Sequence, residues 1–164
     1  METLPSGLYG ITDSGLESNL IEEVQLMIEC GATTVEYRDK QIDCLTFSKN
    51  AEQIMEVCAK SGVAFVINGD YPLALRLQSH LIFEDDPPVL GGAFFNLIGI
   101  CASDYSHFKK NADRILAEFD FLSVCPLFDK FGKSYLFELV KELADDAALP
   151  VFASGGITLI MCFL

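Results

Sequence analysis

Glu36, Arg38 and Lys40 stand at alternate positions where the run Thr33-Thr34-Val35 breaks into charge. Thr33, Thr34 and Val35 are β-branched and Tyr37 is aromatic, so the segment reads as a strand. Side chains alternate along a strand, which sends Glu36, Arg38 and Lys40 to one side together. Two cations leaving the end of a buried strand are costly to place unless an anion meets them. The chemistry on offer is capture of an anionic group. The plain alternative is a strand end whose charges are simply solvated.

The elements that would position such a group alternate along the whole chain. Strands are expected at 8–12, 33–37, 64–68, 81–83, 97–101, 121–125 and 151–153. Between them run helical stripes. The first is Leu20, Val24, Met27 and Ile28, and the second is Phe47, Ala51, Ile54, Met55 and Cys58. Phe108, Ala112, Ile115 and Leu116 form the third, and Leu136, Leu139, Val140 and Leu143 the fourth. Residues 72–78 suit a short helix. Short apolar strands alternating with helices mean βαβ units and a parallel sheet buried on both faces.

Seven such units without a Gly-x-Gly-x-x-Gly fingerprint favour an α/β fold of the (β/α)8 TIM-barrel type, read as one domain over residues 1–164. Such barrels need about 200 residues or more. The apolar ending, Ile157 to Leu164, carries no cap or turn signal, so the last β/α unit is expected to be missing or incomplete.

Function in a parallel barrel sits on the loops after the strands. There the chain places Asp13, then Arg38 and Lys40, then Asn68-Gly69-Asp70, then Glu84-Asp85-Asp86. Lys130 and Lys133 follow the sixth strand, and Ser154-Gly155-Gly156 the seventh. Lys and Arg suit phosphate oxygens, carboxylates suit Mg²⁺, and N–H groups at a glycine turn suit a second phosphate. A Mg²⁺-diphosphate ligand fits that set. Asp85 and Asp86 read equally as a plain acidic loop before Pro87-Pro88.

The formal charge of −13 argues against nucleic acid or an anionic membrane as partner. The start lacks the basic region and long apolar core of a signal peptide, and no stretch is long enough to span a bilayer. Six scattered cysteines without a Cys-x-x-Cys pair read as small buried residues in a reducing cytoplasm.

These residues together resemble the thiamine phosphate synthase family. The likeness rests on Gly7-Leu8-Tyr9-Gly10-Ile11-Thr12-Asp13, Glu36-Tyr37-Arg38-Asp39-Lys40, Val66-Ile67-Asn68 and Ile98-Gly99-Ile100-Cys101. Pro126-Leu127-Phe128 with Lys133, and Pro150 to Thr158, complete it. The resemblance implies a barrel enzyme that joins hydroxymethylpyrimidine diphosphate to thiazole phosphate with Mg²⁺, giving thiamine phosphate and diphosphate. It implies Arg38 and Lys133 as catalytic residues. Substrate contacts would come from Glu36, Arg38, Lys40, Asn68, Cys101, Lys130, Lys133, Gly155 and Gly156, and metal contacts from Asp70, Asp85 and Asp86.

Several positions depart from the family pattern. Glu36 replaces a usual Gln, and Gly69 a Mg²⁺-binding Asp, with Asp70 one place later. Cys101 replaces a Ser and Lys130 a Thr. Poor or no turnover is expected from Gly69 together with the missing last unit, and an unpaired strand edge would favour aggregation or association. A thiazole tautomerase and a non-catalytic barrel that binds phosphorylated ligands stay open as alternatives.

Overall fold

The computed structural model describes residues 3–12, 19–84, 96–103, 105–126, 140–141 and 149–155. The expected alternation is present. In chain order the elements are β1 (Leu8–Ile11), α1 (Leu20–Glu29), β2 (Ala32–Tyr37), α2 (Cys44–Ser61), β3 (Ala64–Asn68), α3 (Tyr71–Leu77) and β4 (His80–Phe83). Then come β5 (Ile98–Ala102), α4 (Tyr105–Glu118), β6 (Phe121–Val124) and β7 (Val151–Ala153). Of the stripe at 136–143, only Val140 and Lys141 fall within the described residues, and both are helical.

The chain forms two contact units, one with β1, β2, β3 and most of β4, the other with β5, β6 and β7. In the first, strands lie parallel in chain order, each paired with the next. The β1–β2 register skips a residue: Leu8 faces Ala32, but Tyr9 faces Thr34. Thr33, the residue passed over, donates its hydroxyl to the Leu8 carbonyl at 3.4 Å.

Helix α2 shows how local chemistry sets these elements. Asp43 caps its start, taking the N–H groups of Leu45 and Thr46, and Gly62 closes it at φ 69°. Phe47, Ala51, Ile54 and Cys58 recur at helical spacing and are buried. The Phe47 ring stacks on Tyr37 of β2, with centroids 4.4 Å apart. Val24 of α1 and Val35, Val66, Ile67, Leu81 and Ile82 of the strands complete this core.

The second unit repeats the scheme with β5, β6 and β7 parallel and in order. Ile115 and Phe119 are buried with Phe121, Leu122 and Val124. Phe152 meets Phe121 edge to face at 6.2 Å.

The cysteines differ from expectation. Among the described ones only Cys58 is buried, Cys101 and Cys125 are half-buried, and Cys30 and Cys44 are exposed. Those two sit at helix boundaries, Cys30 capping α1 and Cys44 opening α2, where an apolar neighbourhood in sequence turns outward. None of these five cysteines is in a disulfide among the described residues.

Candidate functional site at the strand ends

Strand β2 ends at Tyr37, and its alternation ends with it. Glu36 is 3% exposed, whereas Arg38 and Lys40 are exposed. Glu36 thus lies within the sheet, and the two cations stand in the turn that follows its last residue. Asp39 builds that turn by accepting from the Gln41 N–H at 2.9 Å.

Arg38 is positioned through its backbone. The Thr12 hydroxyl, just past β1, accepts from the Arg38 N–H and donates to the Arg38 carbonyl, both at 3.1 Å. Thr12 is itself 2% exposed, and its N–H donates to the Glu36 carbonyl at 3.0 Å. The chain is held where it leaves the sheet, while the guanidinium remains exposed.

Glu36 is bound on both sides by neighbouring strands. Its Oε2 accepts from the Tyr9 hydroxyl of β1 at 2.9 Å, and its Oε1 from Asn68 Nδ2 of β3 at 2.8 Å. The next residue, Tyr37, faces the other way, fully buried against α2, and accepts from Asn50 Nδ2 at 3.2 Å. Burial pushes the Tyr37 phenol above its ordinary range; the Asn50 hydrogen bond pulls it back in part, and the Asp39 charge adds the smallest contribution, upward.

Past Asn68 the backbone turns at Gly69, with φ 79°, and the Gly69 N–H donates to the Ile82 carbonyl at 2.9 Å. Asp70 then caps α3: its Oδ1 accepts from the Leu73 N–H at 2.9 Å. At least one of its carboxylate oxygens is thus engaged in helix capping. Among the described residues, no group of three His, Cys, Asp or Glu side chains is placed to hold a metal ion.

In the second unit, Cys101 lies half-buried on β5, paired in register with Ser123 of β6. Ser154 extends the β6–β7 ladder by donating its N–H to the Val124 carbonyl at 2.9 Å. Gly155 follows at φ 81°, and a Cβ there would approach Pro126 Cα to 2.9 Å, so both backbone and space call for glycine. The Ser154 hydroxyl is buried with no partner among the described residues. Asp85, Asp86, Lys130, Lys133 and Gly156 lie outside the described residues.

The structure thus joins Glu36 to Asn68 and holds Arg38 beside them. Sequence reasoning assigned no role to Tyr9 or Thr12, which hold these residues from β1. Strand alternation could have placed Tyr9 only with the β1–β2 register in hand.

Parallel strands paired in chain order and alternating with helices define the class as an α/β protein. The chain belongs to the thiamine monophosphate synthase family, whose model matches residues 8–161. It is 29% identical to a thiamine-phosphate synthase of Nostoc punctiforme over 163 residues, covering 93% of this chain and 45% of that protein. A thiamine-phosphate synthase of Methanosarcina barkeri is 30% identical over 166 residues, covering 91% of this chain and 71% of the relative. The chain thus spans less than half the length of the Nostoc protein. The solved thiamine phosphate pyrophosphorylase from Pyrococcus furiosus matches with a TM-score of 0.77 at 20% identity, over 92% of this chain and 75% of that one. The fold is therefore of the (β/α)8-barrel type, with seven of its strands among the described residues.

Proposed function

We propose that this chain is a transferase that joins hydroxymethylpyrimidine diphosphate to thiazole phosphate, forming thiamine phosphate and releasing diphosphate. The observation that carries this reading is the strand-end arrangement in a chain of this family. An exposed Arg38 is clamped through its backbone by Thr12, beside the bonded pair Glu36–Asn68. A guanidinium held there can take phosphate oxygens in two parallel hydrogen bonds.

In this reading Arg38, Lys40, Asn68 and Lys133 receive the diphosphate, and Arg38 and Lys133 stabilise its charge as it departs. Gly155 and Gly156 offer backbone N–H groups to the thiazole phosphate, and Cys101, Lys130 and Glu36 line the substrate. The protein's work is mostly to hold two rings in line and to favour the leaving charge.

Mg²⁺ belongs to the proposal as the ion that neutralises diphosphate when bound. The described donors fit such an ion in kind, being hard oxygens at Asn68 and Asp70. Because Asp70 gives Oδ1 to the α3 cap, Asp85 and Asp86 are the stronger candidates for its carboxylate ligands. Among the described residues no helix is long and apolar enough to cross a membrane, and free thiols suit a reducing cytoplasm. We place the protein there, with small-molecule substrates and self-association as its partners.

The experiment gives purified protein both substrates and Mg²⁺ and follows thiamine phosphate. Product that depends on both substrates and falls with Arg38→Ala supports the reading. Its complete absence, in folded protein that binds neither phosphorylated substrate, overturns it.

A further inference from the structure

The Thr12 hydroxyl meets two main-chain groups of a single residue: it accepts from the Arg38 N–H and donates to the Arg38 carbonyl, both at 3.1 Å. Register shows what those bonds replace. Ile11 pairs with Glu36, and the Glu36 carbonyl accepts from the Thr12 N–H at 3.0 Å. In a parallel ladder every second residue of a strand bonds its neighbour strand through both its N–H and its C=O. Glu36 is such a residue towards β1, so the next is Arg38. Continued by main chain alone, the ladder would join the Arg38 N–H to the carbonyl of residue 12, and the Arg38 carbonyl to the N–H of residue 14. One side-chain oxygen fills both places instead.

We propose that Thr12 is a positioning residue: its hydroxyl substitutes for one step of the β1–β2 ladder and holds Arg38 in strand register for the diphosphate, whatever course the main chain takes beyond Thr12. This rests on the diphosphate reading above and names what aims the guanidinium. Three observations support it. The last pairs of β2, with Ile11 and with Ile67, stop short of Arg38, so the hydroxyl carries the register past the end of the strand. Thr12 is 2% exposed, which keeps water from competing for its two bonds. Arg38 is exposed, so burial does not fix where its side chain begins. A valine at position 12 would keep the branched shape and lose both bonds, whereas a serine would keep both.

The test titrates the full chain with inorganic pyrophosphate and Mg²⁺, comparing wild type, T12S, T12V, R38A and T12V/R38A. T12V should weaken binding about tenfold, close to the lower end of what losing a hydrogen bond to a charged group costs. T12S should stay within about threefold of wild type, because the hydroxyl is restored. Residues that act through one another are not additive, so adding T12V to the R38A chain should change affinity by no more than about twofold. A residue that merely stabilises the fold would weaken both backgrounds alike.

The hold on the backbone is read in parallel by amide hydrogen exchange at Arg38. Its N–H should be protected in wild type and T12S and open in T12V. T12V binding equal to wild type, T12S no better than T12V, or an equal loss in the R38A chain overturns the proposal. So does a wild-type Arg38 amide that exchanges as freely as an unbonded one. If T12V does not fold, T12A, which also removes the hydroxyl, takes its place beside the wild-type exchange. A wild-type chain that binds no pyrophosphate overturns the diphosphate reading and the ligand named here, and the ladder substitution then stands or falls on the Arg38 exchange.

Discussion

Glu36 and Tyr37 are consecutive, both are buried, and both hydrogen-bond an asparagine, yet they serve opposite faces of β2. Tyr37 finds its partners on α2, the helix that follows in sequence, stacking on Phe47 and accepting from Asn50. Glu36 finds its partners on other strands, at Tyr9 and Asn68, 27 and 32 residues away. Burial does not separate a residue that stabilises from one that positions a site. The origin of the partners does: the helix face is built from the local βα unit, the other face only from the assembled sheet.

The contrast breaks first at Tyr37. Tyr37→Ala removes a fully buried aromatic ring and should cost about 3–5 kcal/mol in denaturant unfolding. Protein that remains folded should bind pyrophosphate as wild type does. Weakened binding without lost stability would reverse the assignment of the two faces.

Cys58, also on the helix face, sharpens it through pH. Burial pushes its thiol from an ordinary value of 9.0 up to about 11. A group whose folded value is raised contributes stability that is complete below pH 9 and lost as pH rises through about 11. That shift corresponds to about 2–3 kcal/mol. Cys58→Ala should give a flatter stability profile across that alkaline window, and an unchanged slope would defeat the point.

The smallest effect on stability is expected at Arg38. Its side chain is exposed and its backbone contacts to Thr12 survive truncation. Arg38→Ala should leave the unfolding midpoint in place while weakening diphosphate binding by about 1.5–3 kcal/mol, the worth of a hydrogen bond to a charged group. A variant that loses stability and keeps its affinity would show that Arg38 is structural.

The alternation of strands and helices was legible because buried parallel strands read as short apolar runs and helices as stripes. All seven strands fall within a residue or so of expectation, from β1 at Leu8–Ile11 to β7 at Val151–Ala153. The candidate site was legible only in part. Arg38 and Lys40 stand out as charges after an apolar run. That Glu36 belongs to the sheet, held by Tyr9 and Asn68, depends on register across three strands, which no local pattern carries. At Asp70 two signals compete. A carboxylate after a strand suggests a metal, while Asp before Tyr71-Pro72 is a helix start, and the described geometry is that of the cap.

The skipped residue between β1 and β2 marks where this site can and cannot absorb a change in length. Tyr9 reaches Glu36 because it is in register with Thr34 rather than Thr33. Thr33 is the surplus residue, so deleting it would let the Leu8–Ala32 pair run straight on into Tyr9–Thr34. A residue gained or lost between Thr34 and Glu36 would instead send Glu36 to the opposite face, because side chains alternate with a period of two. Substitutions at Leu8 or Ala32 alter contacts at one end of the pairing without changing that parity. Across descendants of this chain, a lost codon at Thr33 should be accepted far more readily than a codon gained or lost between Thr34 and Glu36.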